Sequence, residues 1–145
     1  MIDVRIQSEA FDSAALLAAL ELAGVGAIAS FTGLVRSDDG VTAIELEHYP
    51  AMTEASLRAV ASEAQSRWNL SGAIIVHRVG KMAVGEPIVF VAAASAHRAE
   101  ALAACAFLID RLKTDAPFWK KEYRGEHAAW VEAKSSDDSR AADWD

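Results

Sequence analysis

SAHRAEALAACAFLIDRLKTDAPFWKKE, residues 95–122, joins a helix to a strand across a proline, and that junction points to the class of fold. From Ala101 to Ile109 the stretch is apolar nearly all round, as expected of a helix buried on every side. The pattern predicts a helix from about Ala96 to Lys113, with Ser95 as its N-cap. Pro117 cannot continue it. Trp119 to Tyr123 then reads as a strand, turning at Arg124-Gly125-Glu126 into a partner strand over Ala129–Ala133.

Working outward, further strands are predicted at Val4–Gln7, Ala27–Thr32, Val41–Tyr49, Ala73–Val79 and Ile88–Ala94, with Gly80–Pro87 as a loop. The turn residues Ser37-Asp38-Asp39-Gly40 suggest a hairpin between the second and third of these, and Pro50 closes the third. Phe11–Leu22 reads as a helix capped by Asp12 or Ser13. Leu57, Val60, Ala61, Ala64 and Trp68 recur at helical spacing within Thr53–Trp68. Three main helices interrupting pairs of strands imply an α+β domain on a mostly antiparallel sheet. One domain is expected over 1–134, followed by a polar, acidic and loose tail over 135–145.

Composition narrows the function. The chain has 145 residues, 52% hydrophobic, enough to bury a substantial core. A net charge of −7 argues against a nucleic-acid partner, which requires a broad basic face. No apolar run reaches the roughly 18 residues that span a bilayer. Met1–Gln7 lacks the apolar centre of a signal peptide, so the cytoplasm is the expected location. Cys105, the single cysteine, sits in the apolar helix and reads as a packing thiol. His48, His77, His97 and His127 lack ligand spacing, so neither a metal nor a cofactor is expected.

Against this acidic background, Arg111 to Arg124 holds five Lys or Arg and two acids, a local balance of +3. Lys113 and Lys120 lie on either side of Pro117, Phe118 and Trp119, so a sharp bend could bring both amines to one place. Apolar neighbours and a second ammonium both lower a lysine's pKa and free it as a base or nucleophile. Paired lysines at a helix end also simply favour the C-terminal dipole. His97 and Arg98 add donors to a helix start suited to phosphate or carboxylate. Arg36, where a strand meets a turn, could grip phosphate in bidentate fashion. Sixteen helical positions separate His97 from Lys113, roughly 24 Å. Either there are two sites, or a dimer brings the helix start of one copy to the helix end of another.

FTGLVR at 31–36, LEHYPAMTE at 46–54, HRVG at 77–80, IVFV at 88–91, SAHR at 95–98, LKTDAPFWKKE at 112–122 and WVEA at 130–133 occur in one order along nearly the whole chain. Together they resemble the large, catalytic subunit of molybdopterin synthase. The resemblance implies an α/β-hammerhead fold and a central homodimer within a heterotetramer, with a small β-grasp sulfur-carrier subunit at each end. It implies a sulfurtransferase that converts cyclic pyranopterin monophosphate to the dithiolene of molybdopterin, for the molybdenum cofactor. The sulfur would come from a thiocarboxylate on the carrier's C-terminal Gly-Gly.

By position, Lys113 matches the lysine at the end of the carrier's tail, and Lys120 the one that activates substrate or moves protons. Arg36, His97 and Arg98 match residues of the substrate pocket; Leu34, Val35, Lys121 and Glu122 fall on further substrate-binding segments. Leu34 departs from the polar or basic residue common there, and Lys134 stands where a relative carries Arg. Two rivals are a non-catalytic adaptor for a ubiquitin-like tail and a phosphate sensor built on the Ser95 helix start.

Overall fold

The computed structural model describes residues 1–131 and 140–145. Strands β1 (Ile2–Gln7), β2 (Ala27–Leu34), β4 (Gly72–Arg78) and β6 (Pro87–Ser95) form one four-stranded sheet in the order β1-β4-β6-β2. Strands β3 (Ala43–His48), β5 (Gly80–Ala83), β7 (Phe118–Arg124) and β8 (His127–Val131) form a second, in the order β5-β3-β7-β8. The β1–β4 pairing is parallel and the other pairings are antiparallel. Helices α1 (Ser13–Ala18), α2 (Pro50–Trp68) and α3 (Arg98–Asp115) complete the α+β architecture.

β4 is buried along its whole length, so its alternating side chains serve two cores. Ile74 and Val76 join Leu16, Leu20 and Phe90 on the α1 side. Ala73 and Ile75 face the larger core, shared with Leu57, Ala61, Ala104, Phe107 and Leu108 of α2 and α3. Ile44, Leu46 and Met82 of the second sheet close that same core. The site therefore stands on a rigid, two-sheet frame. No described helix is long and apolar enough to cross a membrane.

Several boundaries differ from expectation. β2 and β3 do not form a hairpin. β2 pairs along β6, and β3 lies in the other sheet between β5 and β7. Asp39 and Gly40 do adopt positive φ (57° and 77°), but their turn carries the chain between sheets. Gly80–Pro87 is no plain loop, since β5 occupies its first four residues; a strand that short gives no usable alternation. Pro50 opens α2 instead of only closing β3, where its missing N–H costs nothing. α1 is six residues long, and Asp12 caps it by accepting from the Ala15 N–H at 3.2 Å.

Ser95 is not the N-cap of α3. It is the buried last residue of β6, paired with Ala27, and its carbonyl accepts from Gly26 N–H at 2.9 Å. His97 is the N-cap, without a side-chain cap bond, and the helix runs on to Asp115. In the expected tail, residues 135–139 and the preceding Lys134 lie outside the described residues. Residues 140–145 are docked, not loose. Arg140 and the Trp144 indole both donate to the buried Asp110 carboxylate, at 3.0 and 2.8 Å. The Trp144 ring packs edge-on against Trp68 and Phe107.

Candidate active site at the proline bend

Helix α3 delivers Lys113 in its last turn, and Ala116 then leaves the helix at φ −85°, ψ 130°. A residue before proline is pushed into this extended region by the pyrrolidine ring, so the bend is written into Ala116-Pro117. Phe118 opens β7 opposite His48, Lys120 lies opposite Leu46, and Glu122 opposite Ile44. Directly opposed residues share a face of a sheet. Lys120 and Glu122 therefore sit on the inner face with buried Leu46 and Ile44, their charged groups 3.9 Å apart. Lys121 points the other way, its ammonium 4.6 Å from the centre of the Trp130 ring. Two adjacent lysines thus have different surroundings.

Phe118 also meets the end of β4. Its ring stacks on the imidazole of His77 with centroids 4.0 Å apart and planes 22° from parallel. His77 is buried, and loss of hydration drives its pKa down to about 3. A hydrogen bond with the Arg78 carbonyl acts against this, while the charges of Lys113 and His48 add to it. Lys113 stands in the last turn of α3, five positions before Phe118, and Lys120 follows Phe118 by two residues on the same face. Along the chain the two lysines lie on either side of the stacked ring.

The other expected residues are not all brought there. His97 and Arg98 are exposed at the far end of α3 from Lys113. Arg36 is exposed just beyond β2, with its Nε 3.1 Å from Asp38. Because β2 and β6 are antiparallel, Arg36 lies near Pro87 and away from Ser95. Leu34 is 54% exposed on the outer strand. Val35 is buried, its N–H donating to Glu86 O and its carbonyl accepting from Gly85 N–H. Its role in this conformation is to hold the backbone before Arg36.

The sequence reading gave His77 and Arg78 no role at the site. Arg78 is buried and donates to the carbonyls of Ser8 and Pro87 and to the Glu86 carboxylate. A hydrogen bond from Ala83 N–H, and after it the one from the Arg78 guanidinium, hold the Glu86 carboxyl below its ordinary pKa. The available signal was a polar pair ending an otherwise apolar strand. Cys105 is buried as expected, its thiol pushed up to about 11 by loss of hydration. Among the described residues no three His, Cys, Asp or Glu gather as metal ligands.

The family described as MoaE protein matches residues 6–115. The chain belongs to the MoaE family. Curated relatives named molybdopterin synthase catalytic subunit include one from Mesorhizobium japonicum, 53% identical over 97% of this chain and 92% of its own length. Another, from Pseudomonas aeruginosa, is 49% identical and covers 98% of each chain. Among solved structures, the MoaE protein of Burkholderia ambifaria superposes with a TM-score of 0.86 at 47% identity, covering 99% of this chain and 98% of that one. Molybdopterin synthase from Staphylococcus aureus gives a TM-score of 0.83 at 30% identity, covering 88% of this chain and 96% of that one. The family match takes in Lys113 and stops before Pro117, whereas these curated relatives span nearly the full chain, β7 included.

Proposed function

We propose that this chain is the catalytic subunit of a molybdopterin synthase, a cytoplasmic sulfurtransferase of molybdenum cofactor biosynthesis. The observation that supports the reading is the proline bend, which leaves Lys113 in the last turn of a buried helix and Lys120 on the inner face of β7, two residues beyond the Phe118 that stacks on His77. A small β-grasp carrier presents its C-terminal thiocarboxylate at Lys113, whose ammonium neutralises the terminal charge. Lys120, held on the inner face beside Glu122, activates the cyclic pyranopterin monophosphate or moves its protons. At each transfer a carbon–sulfur bond forms on the pterin side chain as a carbon–oxygen bond at the same carbon breaks and its oxygen leaves with a proton. Water then cleaves the carbon–sulfur bond at the carrier's terminus, its oxygen restoring the carrier's carboxylate. Positioning and charge stabilisation supply most of the acceleration, because no activated thiol is needed from this chain.

His97, Arg98 and Arg36 grip the phosphate and pterin oxygens, with Leu34, Val35, Lys121 and Glu122 on adjoining segments. His97 and Arg98 reach the lysines of a second copy in a homodimer, since the length of α3 separates them from Lys113 of their own chain. The phosphate-sensor reading loses its footing, because Ser95 belongs to β6 and caps nothing. The adaptor reading predicts carrier binding without product.

Lys120→Ala tests the enzyme reading. It is expected to leave the fold and carrier binding intact, and to reduce dithiolene formation from thiocarboxylated carrier and cyclic pterin by at least about a hundredfold. Turnover near the unsubstituted level would refute the role given to Lys120.

A further inference from the structure

The mechanism above makes no use of His77, yet burying an imidazole in a strand of Ile and Val is a costly way to fill space. A Phe or Leu would pack there without shedding water from a polar ring. What the imidazole adds is a tether. Its Nδ1 lies 2.8 Å from the Arg78 carbonyl, which can only accept, so Nδ1 carries the proton of the neutral ring. Arg78 in turn is fixed by its bonds to Ser8, Glu86 and Pro87. The ring plane is therefore set by a segment that cannot swing.

That plane is the surface on which Phe118 lies. Phe118 follows Pro117 directly and opens the strand that carries Lys120, while Lys113 stands in the last turn of α3, four positions before that proline. Rotation of the ring would displace Phe118 and alter the spacing of the two amines. We propose that His77 is a positioning residue: its tethered imidazole fixes Phe118, and through the proline bend it sets the separation of Lys113 and Lys120. The inference rests on the sulfur-transfer reading of those lysines. It assigns His77 no contact with substrate.

The test uses the full chain with its carrier. His77→Phe keeps an aromatic face but loses the donor, and Phe118→Leu removes the stack from the other side. Each is expected to slow single-turnover sulfur transfer about tenfold, leaving carrier affinity within about twofold, because a misplacement near 1 Å is enough to cost that much. Phe118→Tyr, which keeps the ring, is expected to stay within about twofold of the unsubstituted rate. The His77→Phe/Phe118→Leu double variant should be little slower than either single variant, since both break one device. A full rate in His77→Phe, or losses that multiply in the double variant, would overturn the proposal. Should His77→Phe fail to fold, the Phe118→Leu and Phe118→Tyr pair decides, equal rates counting against it.

A readout independent of turnover is NMR of 13C-methylated lysines. The Lys113 and Lys120 signals should both move in the slowed variants and return in Phe118→Tyr; unmoved signals would contradict the proposal. An unsubstituted protein that makes no dithiolene would defeat the sulfur-transfer reading instead, and the lysine signals would still decide the positioning claim.

Discussion

A histidine buried near Lys113 and His48 ties stability to acidity in a definite direction. Above its ordinary pKa of 6.5, His77 is neutral in both the folded and unfolded chain and contributes no pH dependence. As the pH falls below 6.5, the unfolded chain takes up a proton that the folded one refuses until about pH 3. Stability should therefore decline through that window by up to about 1.4 kcal/mol per pH unit from this group. The charges of Lys113 from α3 and His48 from β3 act in the same sense. His77→Phe should flatten this acid limb in urea titrations; parallel curves would rule the account out. Gly26 offers a second test at this scale. A Cβ there would lie 2.2 Å from the Ala96 carbonyl oxygen, which is backbone and cannot swing aside. Gly26→Ala should cost about 2 kcal/mol by overpacking, read as a lowered denaturation midpoint, and shift the Ala96–Arg98 junction.

Among the elements, what could be read from the chain depended on how local the controlling interaction was. The apolar run of α3, the proline that ends it, and the β7–β8 hairpin around Gly125 follow from short-range rules. Strand partners did not. Asp39 and Gly40 signalled a turn, but nothing nearby records that β6 is the partner of β2 and that β3 belongs elsewhere. Ser95 shows the same conflict in one residue. Its side chain suits a helix cap, yet pairing with Ala27 and Gly26 claimed it for the strand. Charge and the bend pointed to the lysines, whereas nothing near His77 in the chain records that a ring from the other sheet stacks on it. The docked segment at 140–145 was also missed, since its anchor, Asp110, lies thirty positions earlier on α3. Asp110→Ala should release it, shifting Trp144 fluorescence to the red, exposing the C-terminus to protease and costing about 1–3 kcal/mol. An unchanged emission spectrum would contradict this clamp.

Across the molecule, the two sheets share the larger of its two cores, and α3 runs between two sets of cations that its length keeps apart. His97 and Arg98 stand at one end, Lys113 at the other, in a chain whose net charge is −7. A small anionic substrate contacting both sets needs two copies, and two-fold symmetry then creates two equal sites. Mixing subunits carrying His97→Ala with subunits carrying Lys113→Ala tests this directly, each variant being expected to be inactive alone. A hybrid dimer would hold one site with both intact groups and one with both lost. After confirmed exchange of equal amounts, dithiolene formation should return to about a quarter of the unsubstituted level, the share set by random pairing of symmetric protomers. No recovery, with hybrids demonstrably formed, would contradict the shared site.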